Sequence, residues 1–198
     1  MKIHLAQSDT TAALEALRSG EPPLGDLTSD EQSWLVNAIS CLNAIYQKRA
    51  IGKPGDSPFC IFALDLFYVQ FLAPSDAEQL VCEAVSATSI PDVATALTPE
   101  REKALQDLGF DSPGVSPNYF QIIEIANFAD LGYAARLALH TLRAGYGVAN
   151  FRLATFDLTI PVSRLSVGGY SITAVTSALW KTSRAARILS AECARWRA

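Results

Sequence analysis

The sequence predicts an α+β fold, with a helical N-terminal arm over residues 1–57, a mixed core over 58–160 and a long basic helix over 161–198. Three observations predict it. The chain has 198 residues, 49% of them hydrophobic, which is enough for one substantial core. Its middle third alternates apolar and polar residues between turn signals, as strands do. Its last 27 residues carry apolar side chains at alternating spacings of three and four, as a helix does.

Taken in order, Ala6 to Leu17 predicts a short helix that Gly20-Glu-Pro-Pro-Leu-Gly25 breaks. Ser29 with Gln32 has the spacing of a capping box. The helix that follows places Leu35, Ile39, Leu42 and Tyr46 on one face and ends near Lys48-Arg49, where cations suit a helix C-terminus. Gly52-Lys-Pro-Gly-Asp-Ser-Pro58 marks the border between arm and core. Phe59 to Leu72 predicts one long strand bent near Asp65, and Gln79 to Ser86 a returning strand after the turn at Ala73 to Asp76.

Thr98-Pro99-Glu100 is a helix start: a capping hydroxyl, a proline whose missing N–H costs nothing there, and an acid in the first turn. Ala104, Leu105 and Leu108 form its buried stripe, and Gly109 stops it. Asn118 to Ile125 alternates as a strand. Ala129 to Tyr146 predicts a helix with Leu131, Ala135, Ala138 and Leu142 on the apolar face, and Arg136, His140 and Arg143 on the other. Ala149 to Leu158 predicts the last strand of the core. In the final segment, Ile172, Val175, Leu179, Thr182, Ala186, Leu189, Cys193 and Trp196 make a heptad-like stripe. A stripe of this kind serves either packing on the chain's own domain or contact with a second copy or another partner.

Charge divides the chain. Residues 1–163 hold 10 Lys and Arg against 19 Asp and Glu, whereas residues 164–198 hold 6 against 1. An acidic body repels nucleic acid, so no nucleic-acid partner is expected, and the basic tail suits an acidic surface. No apolar run is long enough to cross a bilayer, and Met1 to Asp9 has no apolar signal core, so membrane insertion is not expected and the expected location is cytoplasmic.

Catalytic signatures are missing from the sequence. The two histidines, His4 and His140, have no Asp or Cys partner at ligand spacing, and Cys41, Cys60, Cys82 and Cys193 are scattered through apolar patterns. No metal and no cofactor are expected. The glycines of Gly109 to Gly114, Gly145 to Gly147 and Gly168-Gly169 match no phosphate-binding loop. Gln70 and Glu83 stand out as polar residues inside apolar runs that a hairpin would bring together. They are either solvated positions on an open sheet face or polar anchors for a bound peptide.

Four pieces in this order, Tyr68-Val-Gln-Phe71, Glu83-Ala-Val-Ser86, Leu105-x-x-Leu-Gly-Phe110 with Pro113, and Asn118-Tyr119, resemble the TY-Chap domains grouped with YbjN and the type III secretion chaperones. The likeness covers about residues 58–158, with departures at Ala87 and Phe110. It implies a mostly antiparallel sheet with helices packed on one face, and a non-enzymatic module that holds a protein or peptide client, with a homodimer as a further expectation. On this footing Tyr68, Gln70, Glu83 and Tyr119 are the expected partner-binding residues of the core, and Leu179, Leu189 and Trp196 those of the C-terminal helix. The alternative is a structural or adaptor subunit of a larger bacterial assembly, attached through that helix.

Overall fold

A computed structural model describes residues 24–49, 57–75 and 77–160, together with a two-residue antiparallel ladder between Ser166–Val167 and Tyr170–Ser171. The expected helix over 6–17 and the long C-terminal helix lie outside the described residues. The described elements are α1 (Ser29–Lys48), β1 (Phe59–Leu64), β2 (Phe67–Leu72), β3 (Gln79–Ala84), a 3₁₀ turn (Pro91–Thr95), α2 (Pro99–Asp107), β4 (Tyr119–Glu124), α3 (Phe128–His140) and β5 (Thr155–Thr159). The α+β class holds: one antiparallel five-stranded sheet in the order β4-β3-β2-β1-β5, with the helices on one of its faces.

Helix α1 begins one residue earlier than Ser29 and Gln32 suggest. Thr28 is the cap: its Oγ1 accepts the Glu31 N–H at 3.3 Å, and its own N–H donates to Glu31 Oε2 at 2.8 Å. Glu31 wins over Gln32 because it has a second task. Buried at 5% exposure, it takes the Arg143 guanidinium at 3.2 Å, and so ties the start of α1 to the turn after α3.

The expected single strand over Phe59–Leu72 is instead a hairpin. β1 and β2 pair from Phe59 with Leu72 to Leu64 with Phe67, leaving Asp65 and Leu66 as a two-residue turn. Asp65 supplies the left-handed backbone such a turn needs, at φ +56°. The last strand is shorter than Ala149–Leu158 implies. Asn150 Oδ1 accepts the Arg152 N–H at 2.9 Å, and this local turn delays the strand to Thr155 while directing Phe151 into the core.

The helix-covered face is lined by Phe62, Val69, Phe71, Leu80 and Cys82, all fully buried. Trp34 of α1 is its keystone. The indole meets Phe62, Phe151 and Phe156 with ring centroids 5.3 to 5.7 Å apart. Helix α3 packs beside α1 and runs into a single π turn over Thr141–Gly145. Gly145 is required there, because a Cβ would fall inside the Leu105 side chain of α2. Arg136, expected on the polar side of α3, is 5% exposed, and desolvation lowers its pKa.

Trp34→Ala removes the central ring of this cluster. A loss of about 3–5 kcal/mol is expected, read as a lower denaturation midpoint with an unchanged slope.

Candidate functional site

Strand register sorts the sheet's side chains into rows. On the face away from the helices, one row runs Thr159, Phe59, Leu72, Val81, Ile122. The next runs Asp157, Ile61, Gln70, Glu83, Phe120. The first is apolar from Phe59 onward. Ile122 is 51% exposed, and Phe59, Leu72 and Val81 are partly exposed. The second places two polar side chains at the centre of the sheet, where the hairpin brings Gln70 directly opposite Glu83.

Glu83 is 4% exposed and organises what surrounds it. Its Oε2 accepts Gln70 Nε2 at 2.5 Å and Asn118 Nδ2 at 3.3 Å, and its Oε1 accepts the Ser116 hydroxyl at 2.9 Å. Three neutral donors thus stand around one buried carboxylate, which compensates for the water it has lost. Asn118 Nδ2 also donates to Tyr68 Oη at 3.1 Å, and Asn118 Oδ1 accepts the Ser86 N–H at 3.3 Å. Ser86 in turn donates from Oγ to the Pro117 carbonyl and accepts the Thr88 N–H at 3.0 Å. Residues far apart in sequence therefore meet in one lattice that joins β2, β3 and the turn leading into β4.

Of the four core residues singled out from the sequence, the structure brings Tyr68, Gln70 and Glu83 together. Tyr68 is fully buried, and Gln70 is half-buried beside it. Tyr119 is on the other face, opposite Ala84, with its Oη donating to Glu102 at 3.1 Å. Burial and that carboxylate raise the Tyr119 pKa to about 12. Glu102 is thereby joined to the sheet, although its place at a helix start suggests a solvated side chain. Leu179, Leu189 and Trp196 lie outside the described residues.

Ser116 is the participant that sequence reasoning passed over, and Asn118, part of the Asn118-Tyr119 piece, was not among the expected binding residues. The available signal was Asn118 at the start of a predicted strand, a position that invites a side chain to bond neighbouring backbone. Next to Tyr119 is a cleft of about 170 Å³ lined by Ser86, Thr88, Leu97, Glu102 and Gln106. Burial raises Cys41 to about 11 and pushes Cys60 and Cys82 well above the usual thiol range, so all three are weak nucleophiles at neutral pH. Among the described residues, no group of three His, Cys, Asp or Glu side chains is placed to hold a metal ion. No described helix is long and apolar enough to cross a membrane.

Two outcomes are expected from the site. Glu83→Ala leaves three donors facing an empty acceptor and costs about 2–3 kcal/mol, whereas Glu83→Gln keeps an acceptor toward Gln70 and Asn118 and costs under about 1 kcal/mol, both by denaturant titration. The second concerns alkaline pH. The folded state holds the Tyr119 proton more tightly than the unfolded chain does, so this residue's contribution is complete below pH 10 and is lost as pH rises toward 12. Tyr119→Phe should show a shallower stability loss across that window than the unsubstituted protein.

A family model described as type III secretion system (YopN, CesT) and YbjN peptide-binding chaperone 3, or TY-Chap3, matches residues 51–155, more than half of the chain. No curated protein and no solved structure matches it at a significant level. The matched span contains the whole Glu83 lattice and the β1 to β4 part of both rows of the helix-free face, and the chain belongs to the TY-Chap3 family of peptide-binding chaperones.

Proposed function

We propose that this protein is a non-enzymatic, cytoplasmic, chaperone-like module that holds an extended partner polypeptide on the helix-free face of its sheet. The observation that carries the proposal is the row Phe59, Leu72, Val81, Ile122, a partly exposed apolar strip beside a polar centre. A strip of this kind takes alternate side chains of an extended segment, while Gln70 offers a central polar contact. Tyr68 and Glu83 serve as positioning residues: they are buried, and they fix the rotamer of Gln70 and the start of β4.

The absence of a catalytic reading rests on chemistry. The cleft beside Tyr119 is smaller than the roughly 300–1,000 Å³ of a typical small-molecule site. The thiols of Cys60 and Cys82 are buried and held protonated, and Glu83 is surrounded by donors without a nucleophile to activate.

The test uses reduced, carboxymethylated α-lactalbumin as an unfolded polypeptide probe, with binding followed by fluorescence anisotropy. Val81→Asp/Ile122→Asp is expected to weaken binding at least tenfold, about 1.4 kcal/mol, and Val115→Asp, on an exposed loop, to leave it unchanged. Equal binding by all three proteins would remove the helix-free face from the mechanism.

A further inference from the structure

β4 is an edge strand of the sheet, and its outer side is only partly paired. Two sets of hydrogen bonds show which way each residue presents its backbone. Phe120 faces outward: its N–H donates to the Asp111 carbonyl at 3.2 Å, and its carbonyl accepts the Asp111 N–H at 2.8 Å. The Ile125 N–H faces inward and donates to the Glu78 carbonyl at 2.8 Å. An antiparallel ladder alternates between these directions, so Ile122 and Glu124 point their N–H and C=O groups outward, as Phe120 does. Asp111 answers Phe120 alone. Gly109, at φ +92°, ends α2 just before it, so the chain reaches the edge only at Asp111. The outward backbone groups of Ile122 and Glu124 therefore have no partner among the described residues.

Such groups are a template for extended backbone. The side chains beside them indicate whose. Ile122 and Glu124 both belong to the helix-free face and both are exposed, and Glu124 makes no ion pair among the described residues. In an antiparallel strand laid against β4, the residue opposite Glu124 comes two positions before the residue opposite Ile122. Side chains directly opposite each other are neighbours on one face. Lys or Arg matches the first position by charge. An apolar residue matches the second, and it becomes the next member of the row Phe59, Leu72, Val81, Ile122. A second copy of β4 fits less well. Using both open residues, it sets Ile122 against Glu124 of the other copy. Setting Ile122 against Ile122 puts Glu124 against Phe120, whose backbone Asp111 already holds.

We infer that a partner segment reading basic-x-apolar adds to β4 as a short antiparallel strand, hydrogen-bonded to Ile122 and Glu124. This rests on the peptide-binding reading above: the face supplies apolar contact, and the edge adds a backbone ladder and a direction. The Asp111 bridge limits the added strand to two outward positions, roughly 10 Å of chain at about 3.4 Å per residue.

The test uses the full chain and a fluorescent peptide, acetyl-Thr-Arg-Thr-Val-Thr-amide, with binding read by anisotropy. In the inferred register the Arg and Val N–H groups donate to β4, and the N–H of the middle Thr points away. N-methylation of Arg or of Val is expected to weaken binding at least tenfold, and N-methylation of the middle Thr less than twofold. Glu in place of the peptide's Arg is expected to weaken binding at least threefold, and Glu124→Arg to reverse that preference. Similar losses from all three methylations, a preference that Glu124→Arg leaves unchanged, or no binding at about 1 mM peptide would each overturn the inference. So would a chain that ignores the peptide, sediments as a dimer and becomes monomeric with Glu124→Arg, because the edge then belongs to a second copy. Val81→Asp separates this inference from the reading it rests on. Weaker binding of carboxymethylated α-lactalbumin by that variant, without the methylation pattern, keeps the face and dismisses the edge. The methylation pattern without an effect of Val81→Asp keeps the edge and dismisses the face.

Discussion

The structure depends on one buried carboxylate. Glu83 sits in the middle of a β-sheet with almost no access to water, and three neutral donors reach it from three separate places in the chain: Gln70 across the hairpin, Ser116 from the turn before β4, and Asn118 at its start. Burying an ion in this way is unfavourable unless the donors are in place, and it makes their arrangement strict. A one-residue slip of β3 against β2 would send Glu83 to the opposite face, among Phe62, Val69 and Phe71, all of them apolar. The carboxylate therefore fixes the register of β2, β3 and β4 together. The same lattice fixes Tyr68 through Asn118, and the β3-to-helix connection through Ser86.

That register has a consequence for the surface. Once Gln70 is opposite Glu83, Leu72 is opposite Val81, and Phe59 and Ile122 extend the same row. The apolar strip and its polar centre are thus two outcomes of a single alignment. On the other face, Trp34 and the phenylalanines it touches close the sheet against α1 and α3. The two faces differ accordingly, one sealed by helices and one carrying a partly exposed apolar strip. Tyr119 and its Glu102 partner secure α2 to the sealed side.

Much of this was legible in the residues. Alternation located β3 and β4, Thr98-Pro99 located the start of α2, and polar residues inside apolar runs singled out Gln70 and Glu83 and their proximity. What was hidden had specific physical causes. The hairpin turn escaped notice because Leu64, Leu66 and Phe67 are all apolar, and only the left-handed backbone of Asp65 divides the run. The cap of α1 was misplaced by one residue because Thr28, Ser29 and Asp30 can all cap. The choice was made by Glu31, through an ion pair with an arginine over a hundred positions away. The burial of Arg136 and the sorting of Tyr119 to the opposite face depend on how helices stack and how strands pair, which periodicity along one segment does not contain.

The Glu83-aligned face is the proposed seat of the partner polypeptide. The measurement that meets it most directly is a residue-by-residue NMR titration of the full chain with an unfolded polypeptide. Amide shifts are expected to concentrate on Phe59, Leu72, Val81, Phe120 and Ile122 and on the Gln70 side chain, with α1 and α3 unaffected. Shifts centred on the helical layer, or on the cleft beside Tyr119, would contradict it.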